Sequence, residues 1–194
     1  MPSVEGGGVE KNFFLIVNDL IKKFSNITVI TAHKSIKKRL DKKINLITPS
    51  LNIWCTKSRY PKYFICLIYL ALFLLRNKYT LVCAFQANIY ASIIAKFFSK
   101  DIIIRSNSSS EGWSKNFLKY LLYKFFFKLP NQIIVNSFEF KKKLDVKFGV
   151  NSHVIYNPLN KNEIIKMSKK KIKLKFFTGS FIKIITVGRL VDQK

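Results

Sequence analysis

The stretch Asp101-Ile102-Ile103-Ile104-Arg105 decides the fold, because it is a continuous apolar run of β-branched residues. Strands of this kind occur where helices cover both faces of a parallel sheet. Further short strands are predicted at 27–31, 44–47, 80–84, 132–135 and 153–156. Between them, apolar residues recur at steps of three and four, which predicts helices at 9–24, 62–76, 86–98, 114–129 and 138–148. This alternation predicts an α/β fold with a Rossmann-like, open, mostly parallel sheet and flanking helices.

The composition excludes disorder and low-complexity structure, since 48% of the 194 residues are apolar and 14% are aromatic. Lys and Arg number 35 against 10 Asp and Glu, so the formal net charge is +25. Such a chain is attracted to phosphates, on nucleic acid or on anionic lipid. The lysines are dispersed along the chain, however, and solvated helix faces explain them equally well.

Cysteine and histidine do not form a recognisable site. The three cysteines lack a CxxC spacing and the two histidines, His33 and His153, are far apart in sequence. We therefore predict no disulfide framework, no metal site and no cofactor, and a reducing, cytoplasmic location. The longest apolar run, Tyr63 to Leu75, has 13 residues. It is about 20 Å long as a helix, too short for a hydrocarbon core of about 30 Å.

Three regions are expected along the chain. Residues 1–165 are predicted to form the Rossmann-like domain, 166–181 a lysine-rich linker, and 182–194 the start of a further domain. In a Rossmann-type unit, a strand normally precedes a glycine-rich turn that opens a helix. Only five residues precede Gly6, so the first strand is expected to be missing. The fold is expected to be incomplete at both ends.

Three motifs together resemble the family 4 glycosyltransferases, which have the GT-B fold. The glycine-rich start, PSVEGGGVEK at 2–11, resembles the first loop of that family. The segments IIVNS at 133–137 and VIYNPL at 154–159 are similar to the segment before its interdomain crossing. Finally, VGRLVDQK at 187–194 resembles the start of the donor-binding domain. The chain then corresponds to the N-terminal, acceptor-side half of a GT-B fold.

The resemblance implies a retaining transferase of the hexosyltransferase type. Its partners would be a nucleotide-sugar donor and a glycan or lipid-linked acceptor in cell-envelope polysaccharide synthesis. It assigns four residues to the donor phosphates: Gly7, Gly8, Arg189 and Lys194. The glycines suit backbone contact with a phosphate, although a flexible turn at a helix start is an alternative for them. We expect little activity from these residues alone, because the family's donor-gripping glutamates lie beyond Lys194.

The acceptor side is assigned to Arg105 and Asn107. Many family members have a histidine in the loop after the strand that corresponds to 101–105, where this chain has Arg105-Ser106-Asn107. An asparagine can hydrogen-bond a sugar hydroxyl, but it cannot act as an acid or base near neutral pH. No catalytic residue is therefore assigned, and Asn107 is the single candidate.

Residues 117–127 combine aromatic and apolar side chains with Lys119 and Lys124. This pattern suits a helix lying in the interface of an anionic membrane, on the inner face of the cell membrane, and equally a helix that packs on the sheet. Two other hypotheses stay open. One is a non-enzymatic basic module that binds anionic lipid or nucleic acid, although no motif for specific nucleic-acid binding is present. The other is a defective fragment that does not fold stably.

Overall fold

The computed structural model describes residues 1–4, 7–50, 58–107 and 117–170, with Ile182 and Ile184. The chain divides into two compact units, Met1–Leu159 and Asn160–Lys194. In the second unit, the helix α6 spans Lys161–Ser168, and the Asn160 side chain accepts a 3.2 Å hydrogen bond from the Glu163 N–H. This helix extends into the segment 166–181; the expected boundaries at 165 and 181 remain predictions.

The first unit contains five α-helices and six strands among its described residues. Its helices are α1 Gly8–Leu20, α2 Arg59–Arg76, α3 Asn88–Phe97, α4 Phe117–Phe126 and α5 Phe138–Phe148. Its strands are β1 Thr28–Ile30, β2 Asn45–Ile47, β3 Leu81–Ala84, β4 Asp101–Ser106, β5 Gln132–Val135 and β6 His153–Val154. A 3₁₀ helix at Lys34–Arg39, which periodicity did not predict, joins β1 to β2.

All the strand pairs are parallel. The strands form a two-stranded sheet in the order β1-β2 and a four-stranded sheet in the order β3-β4-β5-β6. The run 101–105 becomes the long strand β4, which pairs with β3 and β5. The prediction of an α/β fold with an open, Rossmann-like parallel sheet and flanking helices is confirmed.

Two apolar cores hold the unit together. The larger core joins α2, α3, α4 and α5 to the four-stranded sheet, with buried residues such as Leu74, Ala95 and Leu144. The smaller core joins α1, the 3₁₀ helix and β1, around Phe13 and Ile36. Crossovers of the usual right hand, all in one direction, are expected to place α3, α4 and α5 on one face of the four-stranded sheet, and the larger core, which contains residues of all three, agrees with that arrangement.

Some helix ends differ from the predicted ones for local reasons. Helix α3 begins at Asn88 instead of residue 86, because Ala87 has a left-handed backbone with φ of 54°. Helix α1 ends at Leu20, and Phe24, placed in this helix by its spacing, is 57% exposed. The ends of α5 follow the sequence: Ser137 accepts from the Phe140 N–H at its start, and Gly149, with φ of 64°, ends it.

Candidate functional site

The carboxyl ends of the strands meet at one edge of each sheet, since all pairs are parallel. β2 pairs with β1, whereas β3, the first strand of the other sheet, lies across a cavity from the β1 segment, which lines its opposite side. The topology therefore reverses between β1 and β3. Ligands of open α/β sheets bind in the crevice at such a reversal, outside the carboxyl ends of the strands.

Gly7 and Gly8 lie at the N-terminus of α1. The Gly7 carbonyl accepts from the Glu10 and Lys11 N–H groups at 3.2 and 3.3 Å, and φ of Gly7 is −92°. The backbone conformation therefore does not itself require glycine here. A Cβ atom on either residue would meet nothing within 4 Å, so the space above this helix end is open. An anion could approach the first-turn N–H groups there.

The first residues of the chain fix the start of α1 near the end of β3. The Ser3 N–H donates to Oε1 of Gln86 at 2.9 Å, directly after β3. The rings of Phe13 and Phe85 meet edge to face with centroids 5.2 Å apart. The N-terminus of α1, with Gly7 and Gly8, therefore lies at the same edge as the carboxyl end of β3.

Arg105 holds the end of β4 to the segment after β6. Its side chain is 4% exposed, and Nη2 donates to the Ile155 carbonyl at 2.9 Å and to Oδ1 of Asn157 at 3.0 Å. Burial lowers the pKa of the Arg105 guanidinium from its ordinary value. The Nη2 group therefore holds the chain after β6 in place, and the assignment of Arg105 to the acceptor side stays a prediction. Asn157 anchors the segment after β6 through this hydrogen bond.

Two asparagines converge on the backbone of Arg105. Asn88 and Asn107 both donate from Nδ2 to the Arg105 carbonyl, at 3.0 and 3.4 Å. Their Oδ1 atoms and Nε of Arg105 are buried and have no hydrogen-bond partner among the described residues. We call these three residues the amide cluster.

The free hydrogen-bonding atoms of the amide cluster are of the kinds that would pair with hydroxyl groups. Unpartnered amide oxygens accept hydrogen bonds and Nε donates one, and buried polar atoms of this kind are normally paired. Asn107 was predicted from the sequence, whereas Asn88 was missed. The available signal was its position in the first turn of the helix predicted at 86–98, four residues after the strand predicted at 80–84.

Arg189 and Lys194 lie outside the described residues, so their predicted part in donor binding remains a prediction. Gly6 is also outside them.

A second surface feature is the outer side of α2, α3 and α4. Helix α3 contacts both of the other helices. Large apolar side chains repeat along the exposed side of each one. We call this set the apolar helix face: Tyr60, Phe64, Ile68, Leu72, Leu75, Tyr90, Ile93, Phe97, Phe117, Leu118, Leu121, Leu122 and Phe125.

The aromatic stripe of residues 117–127 is divided between the core and this surface. Tyr120, Tyr123 and Phe127 pack against Phe148, whereas Leu121 and its exposed neighbours face outward. Lys119 and Lys128 are exposed beside them. The packing interpretation therefore holds for the buried side chains, and the membrane interpretation of the exposed ones stays a prediction. Within the described ranges, no helix combines the length and the apolar content needed to cross a bilayer.

The sequence matches no protein-family model and no curated protein. The features that bear on function are therefore the carboxyl edge of the sheet, the amide cluster and the apolar helix face.

Proposed function

We propose that the chain is the acceptor-side lobe of a retaining glycosyltransferase. The enzyme would transfer a sugar from a nucleotide-sugar donor to a glycan or lipid-linked acceptor in cell-envelope polysaccharide synthesis. It would work in the cytoplasm, at the inner face of the membrane. The observation that carries this proposal is the amide cluster at the carboxyl edge of the sheet, with unpartnered acceptor oxygens on Asn88 and Asn107.

A lipid-linked glycan combines three chemistries: sugar hydroxyls, phosphates and a long apolar chain. Helix α3 brings two matching surfaces together, because Asn88 begins the helix and belongs to the amide cluster, while Tyr90 and Ile93 are exposed on the apolar helix face. Exposed lysines beside that face suit the phosphates of anionic lipids. One ligand can therefore contact both surfaces through different parts of its structure.

The donor is proposed to bind across the open N-terminus of α1. Glycosyl transfer leaves negative charge on the departing diphosphate, which backbone N–H groups at a helix N-terminus stabilise. Gly7 and Gly8 leave room for this approach, since among the described residues no atom other than those of their chain neighbours and their own helix lies within 4 Å of their Cβ positions. Arg189 and Lys194 are the proposed cationic partners of the same diphosphate.

Replacing Asn88 and Asn107 together with alanine is expected to weaken binding of a polyprenyl-diphosphate-linked oligosaccharide in detergent about tenfold or more. The reason is the loss of two hydrogen bonds to sugar hydroxyls, each worth about 0.5–1.5 kcal/mol net. Isothermal titration of the full chain measures the affinity. Thermal melting in parallel separates a change in binding from a loss of fold, since both Nδ2 groups also hold the Arg105 carbonyl.

The matched control is Asn77→Ala. Asn77 caps the C-terminus of α2, because its side chain donates to the Phe73 carbonyl at 2.8 Å. It precedes β3 in the chain and therefore lies at the amino edge of the sheet, opposite to the amide cluster. Its replacement should leave the affinity for the oligosaccharide unchanged. Equal affinity of the double variant and the unmodified chain would refute the proposed acceptor site.

A second candidate function is a non-enzymatic module that binds anionic lipid. The apolar helix face and the net charge of +25 favour it. The two functions differ in their dependence on the sugar, because a lipid-binding module does not bind the sugar of a lipid-linked glycan.

A further inference from the structure

Two exposed aromatic residues lie next to each other at the carboxyl edge of the four-stranded sheet. Phe138 begins α5 after the end of β5, and Tyr156 follows β6. Their rings meet edge to face, with centroids 6.3 Å apart and an angle of 71° between the ring planes. The two residues are 67% and 63% exposed. We call Phe138 and Tyr156 the aromatic pair.

The position of the aromatic pair distinguishes it from the other exposed aromatic residues. Within the described part of the chain, most of these belong to the apolar helix face, and those that remain are Phe24, Tyr79 and the aromatic pair. Phe24 and Tyr79 precede β1 and β3, so they lie at the amino edges of the two sheets. The aromatic pair lies instead at the carboxyl edge, where ligands of open α/β sheets bind.

Arg105 connects the aromatic pair to the amide cluster. β5 lies between β4 and β6, so the Arg105 side chain, on β4, reaches past β5 to bond with the segment after β6. Its Nη2 atom lies 3.5 Å from the Tyr156 carbonyl oxygen. The residue is 4% exposed, and Nε of the same guanidinium has no hydrogen-bond partner among the described residues. The aromatic pair is therefore a direct neighbour of the amide cluster.

A sugar ring has the two kinds of surface that such a neighbourhood would bind. The C–H groups on one face of a pyranose are apolar and weakly positive, and the face of an aromatic ring carries negative charge. Its hydroxyl groups both donate and accept hydrogen bonds. The amide cluster offers two free acceptor oxygens, on Asn88 and Asn107, and one free N–H, on Arg105. Small-molecule sites commonly combine aromatic walls with a few polar groups in this way.

A bilayer surface and a nucleobase match the same features less well. The angle of 71° between the two rings makes the pair a corner that holds one ring, and not a flat patch that lies on a bilayer. A nucleobase has donors and acceptors at fixed places on its edge, whereas hydroxyl hydrogens rotate to suit their partners. The observations therefore favour a sugar.

We propose that the aromatic pair is a stacking platform for one pyranose ring of the acceptor, next to the hydroxyl groups that bond with the amide cluster. The inference rests on the proposed function and deepens it. It makes a sugar ring, and not the lipid or the phosphates, the part of the acceptor that this edge of the sheet recognises. Phe138 and Tyr156 are binding residues in this proposal.

The test replaces Phe138 and Tyr156 together with alanine in the full chain. Isothermal titration measures binding of a polyprenyl-diphosphate-linked oligosaccharide and of polyprenyl diphosphate without sugar, both in detergent. Affinity for the lipid with sugar should fall about tenfold or more, because the stacking contacts are lost. Affinity for the lipid without sugar should not change. Tyr156→Phe keeps both rings and should bind the oligosaccharide as the unmodified chain does.

The matched control replaces Phe24 and Tyr79 with alanine. It removes the same two types of side chain from residues that are 57% and 102% exposed at the amino edges. Its affinity for both lipids should equal that of the unmodified chain. Both double variants should keep the melting temperature of the unmodified chain, because exposed side chains contribute little to stability.

Four results would overturn the platform. Unchanged affinity of the aromatic double variant, when replacement of Asn88 and Asn107 does weaken binding, refutes the platform and leaves the acceptor site. A lower melting temperature with unchanged affinity shows that the rings pack against another part of the chain. Competition by uridine diphosphate that depends on the two rings identifies a nucleobase site. Equal affinity of the unmodified chain for the two lipids refutes the proposed function, and the platform with it.

Discussion

Replacing Phe148 with alanine is expected to lower the free energy of unfolding by about 4 kcal/mol, measured by denaturant titration. Phe148 is fully buried at the end of α5. Its ring stacks on Phe127 with centroids 4.9 Å apart, and it lies 6.1 Å from Tyr120 and 6.3 Å from Tyr123. The substitution removes the contacts that hold α4 to α5 and leaves a cavity. Because domains are stable by only about 5–15 kcal/mol, a large part of the stability depends on this ring.

The matched control is Phe97→Ala at the end of α3. The Phe97 side chain is 80% exposed, so its removal should change the free energy of unfolding by no more than about 0.5 kcal/mol. A similar small change for Phe148→Ala would contradict the packing of α4 described above. It would also show that the aromatic side chains of α4 do not pack in the core.

Replacing both Leu121 and Phe125 with aspartate should reduce binding to phosphatidylglycerol-containing vesicles by about two orders of magnitude. The two side chains are 44% and 61% exposed on the apolar helix face, and insertion into a bilayer interface would bury them. Losing this burial removes about 3 kcal/mol, and each aspartate adds repulsion from anionic lipid. Co-sedimentation with vesicles measures the effect, which should be smaller at high salt because screening weakens the repulsion between the aspartates and the anionic lipid.

The control replaces Phe24 and Leu159, which are exposed outside the apolar helix face, with aspartate. This variant has the same change in charge, so it should lose only the small electrostatic part of the affinity. Equal losses in the two variants would show that net charge alone drives binding. The apolar helix face would then have no part in it.

The sequence predicted the parallel sheet because its signals are local. The run 101–105 can be buried on both sides only between helices, and the structure makes it β4, inside a parallel sheet. Ser137 and Gly149 likewise mark the ends of α5, since a cap and a left-handed terminus depend on one residue each. Such features do not depend on distant parts of the chain.

The functional surfaces depend on long-range packing and were predicted only in part. The left-handed backbone of Ala87 makes α3 begin at Asn88, two residues later than predicted, and Asn88 there belongs to the amide cluster. The spacing of apolar residues does not show such a shift. In the sequence, the core and surface residues of the stripe at 117–127 follow one pattern. The structure distinguishes them, because the core residues are those that pack against Phe148. The hydrogen bond from Nη2 of Arg105 to the Ile155 carbonyl, 50 residues later in the chain, was not predicted, and the assignment of Arg105 to the acceptor side stays a prediction.

The most direct test of the account compares two kinds of phosphatidylglycerol vesicle, one with polyprenyl diphosphate and one with the same lipid carrying an oligosaccharide. The quantity measured is the affinity of the full chain for each. The account predicts tighter binding to the vesicles with the sugar, and loss of that difference when Asn88 and Asn107 are alanine. Identical affinity for both vesicles would contradict it and leave the chain as a lipid-binding module.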